Sequence, residues 1–265
     1  MPLKLGTQDV TLKLGSQDVT AYLGAEQASG YVYESLRQGL VAYWPLNETA
    51  TSGDVTAVDE SGNGNDLTSN NSVLSATGLI GNARDFVAAN SEFLSIASNA
   101  DMQFGDKDWS MSLWFNADDW GGYQLVAKDS SSGRELECSL VSPSGNNRLT
   151  TIFYYSGGGG VTKTEPSAGS LAAGTWHFLA FRHINSTGVI TGRINATTFT
   201  FTRAAGQSWA ATSTAFTLGS RAYVPFQQYF NGLIDECARW NRALSDTELD
   251  ELYNSGNGIN LGQRA

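Results

Sequence analysis

From Leu40 to Leu218, short runs of strand-forming residues recur roughly every 8–15 residues, with Gly, Ser or Asn between them. This cadence narrows the fold more than any other feature, because a side-chain period of two places every second residue on one face of a sheet. The run WSMSLWFN (109–116) shows it most clearly. Met111, Leu113 and Phe115 fall on one face, and Ser110, Ser112, Trp114 and Asn116 on the other. Further runs lie at 124–128, 135–141, 149–155, 176–183, 189–194, 198–202 and 215–218, and two more (NARDFV and EFLSI) flank a turn at Ala89-Asn90. The pattern predicts an all-β sandwich. A chain of 265 residues with 29 glycines and 5 prolines has room for one such domain and turns to connect it.

The closing stretch NGLIDECARWNRALSDTELDELYNSG (231–256) predicts a strand followed by a helix. Ser245 and Glu248 have the spacing of a capping box, and Leu244 and Leu249 that of a hydrophobic staple. Asp246 and Glu248 put negative charge where the helix dipole favours it, and Leu249, Leu252 and Tyr253 form the apolar face. Gly256 is expected as the left-handed cap. So short a helix must dock on something larger. The strand LVAYWPL (40–46) opens the sandwich that this stretch closes, and the helix is expected to cap that sheet.

Residues 1–29 stand apart. LKLGTQDVT (3–11) and LKLGSQDVT (12–20) repeat with a period of nine, and AYLGAEQ begins a third copy. Units this short cannot bury their own apolar face. They predict a docking arm whose Leu5, Val10, Leu14, Val19 and Leu23 pack against another subunit. Residues 30–39 read as a connector, either a strand or one helical turn, and 40–265 as the sandwich domain.

The order LVAYWPLNE, DESGNGND, GNARDFVAANSEFLSI, DWSMSLWF, TWHFLAFRHINSTGVITGRINA and FNGLIDECARWNRALSDTELDELY resembles the laminin-G-like branch of the concanavalin A-like jelly-roll family. The resemblance runs from Leu40 to about Gly256. It implies a jelly-roll sandwich with a short C-terminal helix, but not one function, since the fold carries lectins, enzymes and adhesion modules. The Leu-Gly-x-x-x-Val arm units resemble the N-termini of tailed-phage structural proteins.

The loop Asp59-Glu60-Ser61-Gly62-Asn63-Gly64-Asn65-Asp66 imitates the first half of a calcium loop. Its twelfth position is Asn70 instead of a bidentate Glu, so it is no EF-hand. Two readings stand: an Asx-rich turn, or a structural Ca²⁺ site of the kind the resemblance implies beside the terminal strands. In the second, Asp59, Ser61 and Asn63 supply ligands and Asp235 adds a carboxylate. Enzyme chemistry finds less support. Glucanases of this fold resemble one another in alternating acids on one strand. Here the nearest match is Glu135 and Glu137, expected on one solvated face beside Arg134, without the central Asp. The two histidines, His177 and His183, fall in one strand region, and Gly157–Gly160 lacks the Lys-Ser/Thr of a phosphate loop. Cys138 and Cys237 read as separate buried thiols. A binding role remains, with Trp120, Tyr123 and Trp209 as aromatic anchors; Trp120 and Trp209, in Gly-rich loops, are expected to be exposed.

The net charge of −10 argues against nucleic acid and anionic membranes as partners. No apolar run is long enough to span a bilayer, and the N-terminus lacks a secretion pattern. The reading these features favour is a non-enzymatic virion structural or decoration protein of a phage head or tail. Its arm joins it to other assembly subunits and to copies of itself, and its jelly roll is displayed on the virion surface for adhesion to host glycans. A stand-alone lectin is the alternative, and a glycoside hydrolase the third reading.

Overall fold

The computed structural model describes residues 10–14, 17–21, 33–221 and 228–263. Of the arm positions, Leu5 and Leu23 lie outside the described residues. Val10, Leu14 and Val19 fall in an antiparallel hairpin of β1 (Val10–Leu14) and β2 (Gln17–Ala21), with Leu12 opposite Val19.

The domain follows with helix α1 (Glu34–Arg37) and strands β3 (Leu40–Trp44), β4 (Thr68–Asn70), β5 (Leu74–Thr77), β6 (Asn82–Phe86), β7 (Phe93–Ile96), β8 (Trp109–Ala117) and β9 (Gln124–Ser130). Then come β10 (Gly133–Val141), β11 (Arg148–Tyr154), β12 (Gly160–Glu165), β13 (Trp176–Ile184), β14 (Val189–Ile194), β15 (Thr197–Thr202), β16 (Phe216–Leu218), β17 (Gly232–Trp240) and helix α2 (Asp246–Tyr253). Two antiparallel sheets form a jelly-roll sandwich. One has the order β12-β11-β10-β9-β16-β7-β4, the other β15-β14-β13-β8-β17-β6-β5. No helix among the described residues is long and apolar enough to cross a membrane.

The alternation in β8 explains why both of its faces are buried. Met111, Leu113 and Phe115 enter the core between the sheets, beside Phe153, Phe181 and Phe201. Trp114 points the other way, into a second core with Tyr43, Phe178, Trp240, Leu249 and Leu252. Helix α2 therefore covers the outer side of the eight-stranded sheet, as its apolar face predicts. Ser245 and Glu248 form the expected reciprocal capping box, while the left-handed residue at the other end is Asn254 (φ 44°), two positions before Gly256. Asn tolerates that conformation through local hydrogen bonding. The connector is docked too: Leu36 joins the second core, and the Trp240 indole donates to the Leu36 carbonyl at 2.6 Å.

Strand β17, the closing strand, pairs with the opening strand β3, and it does more. Its first half (Gly232–Ile234) pairs with β6 and its second half (Cys237–Trp240) with β3, while its other edge pairs with β8 throughout. A bulge between Asp235 and Ala238 takes up one extra residue against β8, and Glu236 sits there at φ 47°. Both cysteines are free and fully buried, and burial pushes the Cys138 thiol up to about 12.

Candidate binding pocket

Strand β9 turns at 130–133 into β10, and the two strands carry a pair of acids on the side away from the core. The residues Arg134 to Leu136 contain a bulge: Arg134 is opposite Asp129, and Leu136 is opposite Lys128. The extra residue is Glu135, so Glu135 and Glu137 do not share the solvated face that simple alternation predicts. Both are buried, at 2% and 7% exposure. Glu135 turns inward to Lys128 Nζ (2.5 Å), the Phe104 N–H (2.8 Å) and the Thr212 N–H (2.5 Å). The surface reading is thus overturned for both acids, because a bulge reverses the phase of a strand.

Glu137 belongs to a different network. Its Oε1 accepts from Tyr154 Oη at 2.7 Å and from Arg134 Nη2, and Arg221 Nη1 lies 3.4 Å from Oε2. Arg134 Nε donates to Asp129 Oδ1 at 2.7 Å, and its guanidinium lies over the Tyr154 ring at 4.2 Å from the centroid. Among the described residues Asp129 Oδ2 accepts no hydrogen bond, although Arg221 Nη1 lies 3.5 Å away, and Glu137 is the neighbouring carboxyl. Two carboxyls this close are satisfied together when one of them holds a proton. Burial accordingly pushes the Asp129 carboxyl up to about 6. Burial acts upward on Glu137 too, but the Tyr154 hydroxyl, Asp129, Arg134 and Arg221 outweigh it and hold Glu137 below the usual carboxylate range. Burial and the contact with Glu137 raise the Tyr154 phenol.

Above this network lies a cavity of about 400 Å³ lined by Gly133, Arg134, Tyr154, Tyr155, Gly159 and Thr212 with their neighbours. Chain segments far apart in sequence build its walls. Ser156 N–H donates to the Ser208 carbonyl and Ala210 N–H to the Tyr154 carbonyl, zipping 208–210 onto the end of β11. Tyr155 is fixed twice: its ring packs 5.2 Å from Trp209, and its hydroxyl accepts from the Ala204 N–H. The glycine run is required by the backbone. Gly158 (φ 91°) and Gly159 (φ 76°) are left-handed, and a Cβ on Gly160 would meet the Phe153 carbonyl oxygen at 2.5 Å. On the floor, a Cβ on Gly133 would meet Thr212 at 2.8 Å.

The aromatic anchors lie elsewhere or deeper than expected. Trp209 is 4% and Trp120 8% exposed, and both belong to the main core. Trp209 is buried because the zip holds its indole against Phe153, Tyr155 and His183. Trp120 packs edge-on to Phe115. Tyr123 is half-buried against the same core, at the start of β9, while the cavity sits beyond the other end of that strand. Trp120 and Tyr123 are therefore separate from the pocket, and Trp209 supports it from beneath. Sequence reasoning counts Tyr155 only as one of several aromatic candidates, gives Arg134 only as a neighbour of the two surface acids, and misses Asp129. The available signal was the DSSSGRE segment, an acid and a base facing each other across a hairpin turn.

The loop at 59–66 is a closed knot of hydrogen bonds. Asp59 Oδ1 accepts from the Tyr43 and Ser61 N–H groups, and Oδ2 from Ser61 Oγ and the Asn65 N–H. The Asn63 amide donates to the Leu40 and Val41 carbonyls. Asp235 is engaged separately, accepting from the N–H groups of Leu79, Ile80 and Glu236. Among the described residues no three acids, histidines or cysteines converge to hold a metal. Asp59 already accepts four hydrogen bonds and the Asn63 amide donates, so in this arrangement neither of these two residues is free to ligate calcium.

The family model for the concanavalin A-like lectin/glucanases superfamily matches residues 89–250, well over half of the chain. The chain belongs to this superfamily. A search of curated protein sequences finds no match. Among solved structures, domain 4 of the extracellular GH43 arabinanase AbnA from Geobacillus stearothermophilus, in complex with arabinotriose, is similar to the superfamily member described here. The TM-score is 0.58 at 20% identity, covering 83% of this chain and 98% of that one. The binding domain of Paraclostridial Mosquitocidal Protein 1 (TM-score 0.63, 16% identity, 83% and 53% covered) is similar as well. So is a structure of botulinum neurotoxin type C, whose cell entry is dependent upon interaction with two ganglioside molecules (0.59, 14%, 84% and 52%). The chain spans about half the length of the toxin structures. At these identities the likeness is one of fold.

Proposed function

We propose that this domain is a non-enzymatic carbohydrate-binding module whose ligand enters the cavity over β10 and β11. The carrying observation is Tyr155, a rigid ring held by Trp209 and Ala204 at the wall of a 400 Å³ cavity that also offers Arg134 and exposed backbone. An immobilised aromatic face beside a few fixed polar groups suits a sugar ring, with its apolar C–H face and polar rim. The arabinotriose bound to the arabinanase domain supports the reading by analogy of fold. Hydrolysis is not part of it, because Asp129 and Glu137 sit within reach of one another and are clamped by Arg134. A retaining pair needs about 5–5.5 Å between carboxyls with substrate between them. A glycan array followed by calorimetry tests the module. Binding should appear for at least one neutral oligosaccharide, arabinotriose included in the panel, and Tyr155→Ala should weaken it at least tenfold with the melting temperature retained. Silence across the panel defeats the proposal.

The nine-residue repeats favour a setting for the module: display on a virion surface, anchored through Leu5, Val10, Leu14, Val19 and Leu23 to other assembly subunits. Deleting residues 1–29 should abolish incorporation into particles while leaving glycan binding intact. Incorporation of the truncated protein defeats the anchoring role. For calcium, the closed bonding of Asp59 leads us to expect an ion-independent loop, so EDTA should leave both binding and melting temperature unchanged.

A further inference from the structure

We propose that the pocket prefers a carboxylated sugar, a uronate or similar acid, recognised by the free edge of the Arg134 guanidinium. The inference rests on the pocket reading above and adds the class of ligand. Arg134 is the one charged side chain among the described residues that line the cavity, and it stands 42% exposed in a chain whose net charge is −10. Its Nε and Nη2 are committed to Asp129 and Glu137, and its plane is fixed on Tyr154. That leaves Nη1 pre-oriented as a donor, with no rotamer freedom to lose on binding.

The network beneath sets the charge that such a ligand meets. The groups facing Arg134 and its acids are Asp129 on β9, Glu137 on β10, Tyr154 on β11 and Arg221 after β16. With one proton on the acid pair, two guanidiniums face one negative charge and the site is net positive. With that proton lost, the charges cancel. Asp129 Oδ2, which accepts no hydrogen bond among the described residues and has Arg221 Nη1 at 3.5 Å, is the oxygen that would carry the proton. A carboxylated ligand should therefore take up or retain this proton on binding, whereas a neutral one is indifferent to it. Asp129 titrates at about 6, so affinity for the acid is highest below that pH and falls as pH rises through it. A sugar carboxylate stays ionised across this window.

Calorimetry with α-1,4-linked trigalacturonate and the matched neutral galactotriose, each at pH 5 and pH 8, tests this on the full chain. Trigalacturonate should bind on the order of tenfold more tightly than galactotriose at pH 5, the effect of one screened unit charge a few ångströms away. The preference should collapse at pH 8. Asp129→Asn, which imitates the protonated acid and still accepts from Arg134, should carry the pH 5 preference through to pH 8. Arg134→Gln should abolish the preference for the acid, with circular dichroism reporting that both variants fold. Equal binding of the two sugars at pH 5 overturns the inference and leaves the pocket standing. A preference that is the same at pH 8 overturns the proton linkage. Silence from both sugars overturns the inference, and silence across the wider panel overturns the pocket with it.

Discussion

Two buried acid pairs in this protein solve the same problem in opposite ways. Asp129 and Glu137 lie beneath the pocket with two guanidiniums and a phenol around them, and Glu137 stays below the usual carboxylate range. Asp235 and Glu236 lie at the bulge in β17, where no salt bridge among the described residues reaches them. Backbone N–H groups serve Asp235, and Tyr43 Oη donates to Glu236 at 2.5 Å. Burial pushes the Asp235 carboxyl up to about 7 and Glu236 well above its usual range, and Glu236 Oε1 has no donor. Neutral donors orient a buried acid without keeping it charged; cations do both.

The same substitution in each pair should separate them. Glu137→Gln strands Arg134 and Arg221 without their main anion and should cost about 3 kcal/mol of stability at pH 7, read by denaturant unfolding. A cost below ~1 kcal/mol would mean that the arginines are balanced by solvent and that the contrast is false. Asp235→Asn probes the pH axis. The native carboxyl holds its proton to a higher pH than in the unfolded chain, so it contributes stability at low pH that is lost as pH rises from about 4 to about 7. The melting temperature of wild type minus that of the variant should therefore shrink across that window. A constant difference would refute the raised titration. Smallest is Glu236→Gln, which keeps the acceptor for Tyr43. It should change stability by less than about 1 kcal/mol at pH 5 and become stabilising by pH 8, since the charged form is the one burial disfavours. Loss of stability at pH 8 would show that the anion is wanted there.

The fold was largely legible because its signals are local and periodic. The alternation of Met111, Leu113 and Phe115 and the capping box at Ser245 and Glu248 were readable from spacing; the pairing of the opening and closing strands was not. The pocket was not, because it depends on departures from period. One bulge moves Glu135 to the interior, and another sets Glu236 at positive φ. Trp120 and Trp209 carried the same composition cues as exposed loop aromatics. What buries them is tertiary: for Trp209, main-chain pairing with residues some fifty positions earlier. Short edge strands such as β4, β5 and β12 lack the apolar alternation that marks a half-buried strand, and sequence reasoning passed over them.

The placement of β17 has a consequence for how the chain is made. Residues 40–44, 84–86 and 110–117 lie in ladders with this one late strand, and none of β3, β6 and β8 pairs with another of the three. A nascent chain leaving the ribosome must hold β3 and β6 unpaired on that side until residue 240 has emerged. Such late closure favours slow folding and exposes strand edges during synthesis. The last strand thus acts as the clasp of the sandwich, and the chain settles only when it arrives.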